Sequence, residues 1–244
     1  MTFTFIEKPS PNSGKRKAVK GTVQIRHVIV HYTGMPSCDQ ALRRLCDKNS
    51  GVSAHYLIDE DGSTFRMVPE ALRAWHAGVG FWNGVRDLNS TSIGIELVNP
   101  GHEHGYQSFP CAQLEAFTEL VREIMERHSI KPDHVLGHSD IAPGRKIDPG
   151  ELFPWRDLAS QGIGVWPKKA RPLKVMPNIT ATLNHLATIG YAVPLSVAQG
   201  ADVLKSENGD TDVISAFQRR YRPTRFDGIL DTETAGIIAS LAFS

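Results

Sequence analysis

The stretch IRHVIVH, from Ile25 to His31, is a short apolar run of mainly β-branched residues that ends in a histidine. Such residues favour extended backbone, and a continuous apolar run is typical of a strand buried on both faces of a sheet. Thr33 and Gly34 come next and favour a turn. We therefore predict a buried strand whose end presents the His31 imidazole at a sheet edge, where a lone histidine is more often structural than functional.

Other segments carry strand and helix patterns in turn. Strand patterns cover Ser92–Val98 (SIGIELV) and Val135–Gly137, while 54–58 and 64–68 flank the turn Asp59–Gly62 as a hairpin. Helical spacing marks 40–47 and, most clearly, 111–128, whose apolar residues fall on one face. Strands separated by helices, with a hairpin among them, predict an α/β fold with a mixed central β-sheet flanked by helices.

The composition changes after Trp155. The range 166–178 (WPKKARPLKVMPN) is rich in Pro and Lys, lacks periodicity and is typical of a linker. Helical spacing returns in 180–189, 211–221 and 232–241, which predicts a small all-α three-helix C-terminal domain. We therefore divide the chain into an irregular N-terminal arm (1–24), a main α/β domain (25–165), the linker (166–178) and the helical domain (179–244).

The composition is that of a globular protein without a strong charge bias. Apolar residues make up 41% and charged residues 22%, and the net charge of +1 argues against nucleic acid as a partner. No run approaches the length of a transmembrane helix, and the first residues lack the apolar core of a signal peptide. The three cysteines suggest no disulfide framework. We therefore expect a cytoplasmic monomer with no transmembrane segment.

Glu96 stands out because it interrupts the apolar pattern of the strand around it. Burying an unpaired carboxylate is costly, so a glutamate inside a strand needs a compensating partner or a function. The structural alternative is a salt bridge to an arginine.

The segment VLGHSDIAPGRKIDPG, from Val135 to Gly150, carries His138 and Asp148 on a turn-rich loop. An imidazole and a carboxylate from this loop, joined by His31, would supply the three protein ligands of a catalytic zinc site, which keeps a fourth position open. Glu96 would then be the general base, and Lys146 would stabilise the developing oxyanion. The spacing alone does not establish such a site, since no local rule brings His31 to this loop.

Several motifs occur in order: HYTG at His31, SAHYLIDEDG at Ser53, AWHAG at Ala74, SIGIELVN at Ser92 and GHSDIAPGRKIDPG at Gly137. This set resembles the zinc-dependent N-acetylmuramoyl-L-alanine amidases of the type 2 amidase family, which includes enzymes of the AmpD and AmiD kind, phage T7 lysozyme and the peptidoglycan recognition proteins. The resemblance covers Ile25 to Trp155. It implies hydrolysis of the amide between (anhydro-)N-acetylmuramic acid and the L-alanine of peptidoglycan stem peptides, in cell-wall degradation or recycling.

The resemblance also implies roles for individual residues. It makes His31, His138 and Asp148 the ligands of one Zn²⁺ per chain, Glu96 the catalytic carboxylate and Lys146 the group that stabilises the tetrahedral intermediate.

One position departs from the phage members of the family. They carry a tyrosine where Ala54 stands here, which favours a mechanism that depends on Glu96.

Further residues have weaker support from the motifs. The candidates for substrate contact are Trp75, His76, Asn99 and Arg145. His55 is expected to have a structural role, and Asp140 is expected to fix its loop through backbone hydrogen bonds.

The range 213–241 resembles the three-helix peptidoglycan-binding module often joined to such amidases, mainly through FQRRY and DGILD. The predicted partners are therefore peptidoglycan or muropeptide fragments, and a wall-binding tail makes a periplasmic or cell-wall location the alternative to the cytoplasm. Two other functions stay open: a recognition protein that binds peptidoglycan without hydrolysis, and a zinc peptidase that cleaves the stem peptide.

Overall fold

The computed structural model describes residues 4–18, 21–168, 170–193 and 209–243. Parts of the predicted N-terminal arm (1–3 and 19–20), of the linker (169) and of the helical domain (194–208 and 244) lie outside the described residues. The chain forms two compact units, one of residues up to Gly78 with Asp87–Gly137, the other of Val79–Arg86 with the residues from His138 onward. The domain boundaries drawn from composition stay a prediction.

The first unit contains a six-stranded sheet in the order β1-β5-β4-β7-β3-β8. All neighbouring strands in it are parallel except the antiparallel hairpin β4–β5, so the predicted mixed sheet is confirmed. A separate antiparallel ribbon pairs β2 with β6. The strands are β1 Ile6–Glu7, β2 Ser13–Lys15, β3 His27–Tyr32, β4 Tyr56–Ile58, β5 Thr64–Arg66, β6 Leu72–Ala74, β7 Ser92–Leu97 and β8 Val135–Gly137.

Helices flank the sheet and make up most of the second unit. The described helices are α1 Cys38–Cys46, α2 Leu88–Thr91, α3 Cys111–His128, α4 His138–Ile141, α5 Trp155–Ser160, α6 Ile179–Ile189, α7 Gly209–Tyr221 and α8 Thr232–Ala242, with a 3₁₀ turn at Pro132–His134. Asp231 caps α8 by accepting a hydrogen bond from the Thr234 N–H at 2.8 Å. None of these helices combines the length and the apolar character needed to cross a membrane.

Helix α3 begins and ends at the predicted residues. Its buried face, however, is not identical to the face on which the apolar residues of the sequence fall. Gln113 is fully buried, while Leu114 and Met125 are only partly buried. The Gln113 amide donates to the carbonyls of Ile58 and Val98, each at 3.0 Å, where strands β4 and β7 end. Buried carbonyls need donors, so this polar residue faces the sheet in place of an apolar one.

The N-terminal segment is more ordered than its composition predicts. It contributes β1 and β2, and the side chain of Asn12 is buried and donates to the carbonyls of Asp47 and Val52, each at 2.8 Å. Short edge strands of this kind have no apolar periodicity, because their pairing depends on the backbone of a distant strand. The prediction of an irregular arm was therefore wrong for the described part of this segment.

Candidate metal centre

The parallel pairing of three strands brings the predicted functional residues to one sheet edge. Strand β3 lies between β7 and β8, and all three run in the same direction. His31 pairs in register with Glu96 on β7, while Val30 pairs with Gly137, the residue before His138. Because paired residues of neighbouring parallel strands project from the same face about 4.8 Å apart, the side chains of Glu96 and His31 share one face of the sheet.

His31, His138 and Asp148 form a buried group of potential metal ligands, with one ligand atom from each lying within 4.8 Å of the others. Two imidazoles and a carboxylate are the donor set of many catalytic zinc sites, which leave a further position open. The residues present therefore fit a zinc ion. The cluster agrees with the ligand set that the sequence predicts.

The His31 ring is held by a second histidine that lies on the same sheet face. His31 Nε2 and His76 Nδ1 are hydrogen-bonded at 3.0 Å, and His76 Nε2 is hydrogen-bonded to the Ser92 hydroxyl at 3.2 Å. The His76 ring packs over Gly94, where an added Cβ would lie 2.4 Å from His76 Cγ. Any side chain at position 94 would therefore displace His76, which explains the glycine of the SIGIELV motif.

His55 is hydrogen-bonded to the backbone of Gly94, the glycine that contacts His76. The ring is fully buried, and its Nδ1 accepts a hydrogen bond from the Gly94 N–H at 2.9 Å. Its other nitrogen lies 2.9 Å from the Arg16 guanidinium, which also donates to the carbonyls of Ser90 and Ser92 at 3.0 Å. Burial, reinforced by the charge of Arg16, lowers the pKa of His55 to about 3, so its ring is neutral at physiological pH. Its contacts fit the structural role expected for it.

Hydrogen bonds within the 138–148 loop join its two predicted ligand residues. His138 Nδ1 lies 3.1 Å from Asp148 Oδ2, and the Ser139 N–H donates to the Asp148 carbonyl at 2.9 Å. The His138 carbonyl accepts from the Ala142 N–H at 3.0 Å, which closes the short helix α4. These bonds bring together two predicted ligand residues from opposite ends of the loop.

Asp140 is held by two side chains that are distant from it in the sequence. Its side chain is almost fully buried and accepts hydrogen bonds from the Tyr191 hydroxyl at 2.6 Å and from the Arg220 guanidinium. Neither partner has a local sequence signal that points to Asp140. The structural role was foreseen, but its partners were not.

The two residues predicted to act on the substrate lie in different surroundings. Glu96 is partly buried in β7 beside His31. Lys146 is exposed, and its N–H donates to the Ala142 carbonyl at 3.0 Å. Their catalytic roles stay predictions.

The four substrate candidates divide by their contacts. His76 is buried against His31, and Trp75 is partly buried beside Gly14 of β2. Asn99 is buried, with its amide donating to the Gln107 carbonyl at 2.8 Å and accepting from the Gly101 N–H at 3.0 Å. Arg145 donates to the Val79 carbonyl and lies 3.4 Å from His138 Nε2. The hydrogen bonds of Asn99 to Gln107 and Gly101 show that it closes its own loop. Substrate contact by any of the four residues stays a prediction.

The arrangement as a whole is typical of a metal-dependent hydrolase, with a buried imidazole–carboxylate cluster and an acidic residue beside it. Comparison with known proteins narrows this class. The family model Amidase_2, described as N-acetylmuramoyl-L-alanine amidase, matches residues 21–151. The N-acetylmuramoyl-L-alanine amidase AmiD of Escherichia coli K12 is 39% identical over 247 residues, covering 93% of this chain and 86% of that protein.

Solved structures agree with this assignment. The chain is similar to AmiD from E. coli in complex with anhydro-N-acetylmuramic acid-L-Ala-D-γ-Glu-L-Lys, with a TM-score of 0.78, 36% identity and coverage of 93% of this chain and 92% of that one. It is equally similar to AmpDh3 from Pseudomonas aeruginosa in complex with anhydromuramic pentapeptide, with a TM-score of 0.78, 31% identity and coverage of 92% and 94%.

The chain therefore belongs to the N-acetylmuramoyl-L-alanine amidase family and is a hydrolase. The predicted family, fold class and enzyme class are confirmed.

Proposed function

We propose that this amidase depends on zinc, held by His31, His138 and Asp148, and cleaves the amide between N-acetylmuramic acid and the L-alanine of peptidoglycan stem peptides. One observation carries the proposal: ligand atoms of these three buried residues lie within 4.8 Å of one another. Two imidazoles and a carboxylate gathered in this way match the donor set of a catalytic zinc site.

We further propose that the substrates include muropeptides with the anhydro form of the sugar. Support comes from two relatives whose solved complexes hold such molecules, one an anhydro-N-acetylmuramyl tripeptide and the other an anhydromuramic pentapeptide. Both relatives align with more than nine-tenths of this chain. The physiological role that follows is cell-wall degradation or recycling.

A bound zinc ion supplies a Lewis acid that polarises the scissile carbonyl and makes water more acidic. Glu96 accepts the proton of the attacking water and passes it to the leaving nitrogen of L-alanine, from its place beside His31. The Lys146 ammonium neutralises the negative charge that develops on the carbonyl oxygen. The His31 ring is kept in one orientation by His76, so that little reorganisation is needed during the reaction.

The test is product analysis of a defined anhydro-muramyl tripeptide by mass spectrometry. An amidase releases the free sugar and an intact peptide that begins with L-alanine. A zinc peptidase would instead shorten the peptide, and a recognition protein would bind the muropeptide without releasing product. Either result would contradict the proposal.

The Glu96→Gln variant separates the chemistry from metal binding. The amide side chain cannot accept the proton, so we expect kcat to fall by about 10² to 10⁴ with the zinc content unchanged. Metal analysis and single-turnover assays measure the two quantities. Normal turnover in this variant would remove Glu96 from the mechanism.

A parallel assay addresses the location and the C-terminal module. Turnover on soluble anhydro-muropeptides alone favours cytoplasmic recycling, whereas turnover on intact sacculi favours a periplasmic or cell-wall role. Co-sedimentation with sacculi measures whether the predicted peptidoglycan-binding module binds glycan, and light scattering tests the expected monomer.

A further inference from the structure

The short helix α4 begins at the predicted ligand His138 and carries Asp140 two residues later. A helix of four residues is not stable by itself, so its orientation depends on outside contacts. The Asp140 carboxylate is 1% exposed, and both its oxygens are engaged, one by the Tyr191 hydroxyl at 2.6 Å and the other by Arg220. The contacts of Asp140 therefore fix α4 at a point next to a metal ligand.

Arg220 lies on helix α7 and is 80 residues after Asp140 in the sequence. Its guanidinium is buried, and its Cζ lies 3.9 Å from the centre of the Trp155 ring at the start of α5. An ion pair that is removed from water and stacked on an aromatic ring has little freedom to move. Loss of either partner would remove the opposite charge from the other while it stays buried, which is costly.

A second contact joins α7 to the same loop. Asp212, two turns before Arg220, packs against Gly144, where an added Cβ would lie 2.4 Å from Asp212 Oδ2. Gly144 adopts a positive φ of 73°, so both the backbone conformation and the close approach require glycine. Helix α7 thus contacts the loop at two points, both of which lie between the ligands His138 and Asp148.

We propose that Arg220 is a positioning residue that holds the metal-ligand loop in its binding conformation through Asp140. The inference rests on the proposed zinc site. The inference assigns helix α7 a role besides the glycan binding that its resemblance implies. Arg220, within the FQRRY motif, supplies the cation that neutralises the Asp140 carboxylate of the loop. Zinc affinity should therefore depend on a residue that is not one of the three predicted ligands.

The test compares Arg220→Met with the full-length wild-type chain. Methionine keeps much of the length of the side chain but removes the charge, which leaves the Asp140 carboxylate with the Tyr191 hydroxyl and without the Arg220 cation. We expect zinc affinity, measured by competition with a chelating indicator, to fall by about 10- to 100-fold, as is typical when a group that orients a metal ligand is lost. The visible absorption of the Co²⁺-substituted protein should also change, because the ligand geometry is altered.

Arg222→Met is the matched control. Arg222 lies just beyond α7 and pairs with Asp231 at 2.6 Å, within the C-terminal module. Its loss should lower the melting temperature without changing zinc affinity or the Co²⁺ spectrum. If Arg222→Met lost as much zinc affinity as Arg220→Met, Arg220 would be only a general stabilising residue, and the inference would be overturned.

Two further variants keep the test decisive if Arg220→Met folds poorly. Arg220→Lys keeps the charge and should retain most of the zinc affinity. The double variant Asp140→Asn/Arg220→Met removes both charges and should recover part of what Arg220→Met loses. Wild-type affinity in a folded Arg220→Met overturns this inference alone, whereas a wild-type chain that binds no zinc overturns the proposed function as well.

Discussion

Around His31, the described supporting contacts are hydrogen bonds among two imidazole rings and a hydroxyl group, whereas around His138 they end in a buried ion pair. His31 is bonded to His76, which is bonded in turn to Ser92. Helix α4, which starts at His138, is held through Asp140 by Arg220 and Tyr191. The first arrangement depends on close packing over a glycine, and the second depends on matched charges in a dry environment.

The difference shows that two ligands of one predicted site can be positioned by unrelated means. Hydrogen bonds between closely packed rings demand correct shape, so steric changes should disturb them most. A buried ion pair demands charge balance, so charge changes should disturb it most. Each support can therefore be broken without touching the other.

The largest expected effect follows from removing a ligand on either side. His31→Ala and His138→Ala should each abolish stoichiometric zinc binding and lower kcat/KM at least about a thousandfold, because a catalytic zinc site needs three protein ligands. Metal analysis and product assays measure both effects. His104→Ala, in an exposed loop, is the control. Full zinc content in either ligand variant would show that the histidine is not a ligand.

A steric change should break only the support of His31. In Gly94→Ala the new Cβ would lie 2.4 Å from His76 Cγ, which forces the ring away from His31. We expect zinc affinity to fall about tenfold and unfolding free energy to fall by about 1–3 kcal/mol. Chelator competition and denaturant unfolding provide the values.

Gly14→Ala is the matched control for that change. Gly14 is also a strand glycine, but the nearest atom to its added Cβ lies 3.9 Å away, an ordinary contact. It should have little effect on either quantity. If Gly94→Ala behaved like Gly14→Ala, the packing of His76 would not be what positions His31.

The last expected effect concerns stability alone and is its pH dependence on the sheet side. Burial, aided by the nearby His134, lowers the pKa of His27 to about 4, so the folded protein keeps this ring neutral. The unfolded chain binds a proton below about pH 6.5, so the stabilisation is complete above that pH and is lost as the pH falls towards 4. For His27 the loss at pH 5 is about 2 kcal/mol.

His27→Phe tests this assignment by denaturant unfolding at pH 8 and pH 5. The variant should show a smaller loss of stability between the two pH values, because the titrating group is gone. His104→Gln in the exposed loop should leave the pH dependence unchanged. An equal loss in wild type and His27→Phe would place the acid sensitivity elsewhere.

Much of the fold was predictable because its central elements follow simple periodicities. The strands β3, β7 and β8 are short apolar runs, and α3 has a clear amphipathic pattern that begins after Pro110. Burial on both faces of a parallel sheet leaves few alternatives for such runs. The residues His31, His138 and Asp148 were predicted as ligands from their positions within motifs, and their convergence agrees with that set.

What escaped prediction depends on partners that are distant in the sequence. Strands β1 and β2 are defined by pairing with β5 and β6, and a polar Gln113 faces the sheet because two carbonyls there need a donor. Arg16 and Arg220 look like surface cations in the sequence, yet both are buried against groups that no local pattern identifies. Hydrogen bonds between residues that are distant in the sequence produce no periodic pattern from which they could be predicted.

The sequence by itself determined the family, the sheet and the identity of the chemical groups, because motifs and apolar patterns record local requirements. Only the tertiary structure decided how those groups are held. Position 94 requires glycine because the ring of His76 packs against it, and the buried Asp140 is compensated by Arg220. Packing space and charge compensation are properties of neighbours in three dimensions, and a linear pattern does not specify them.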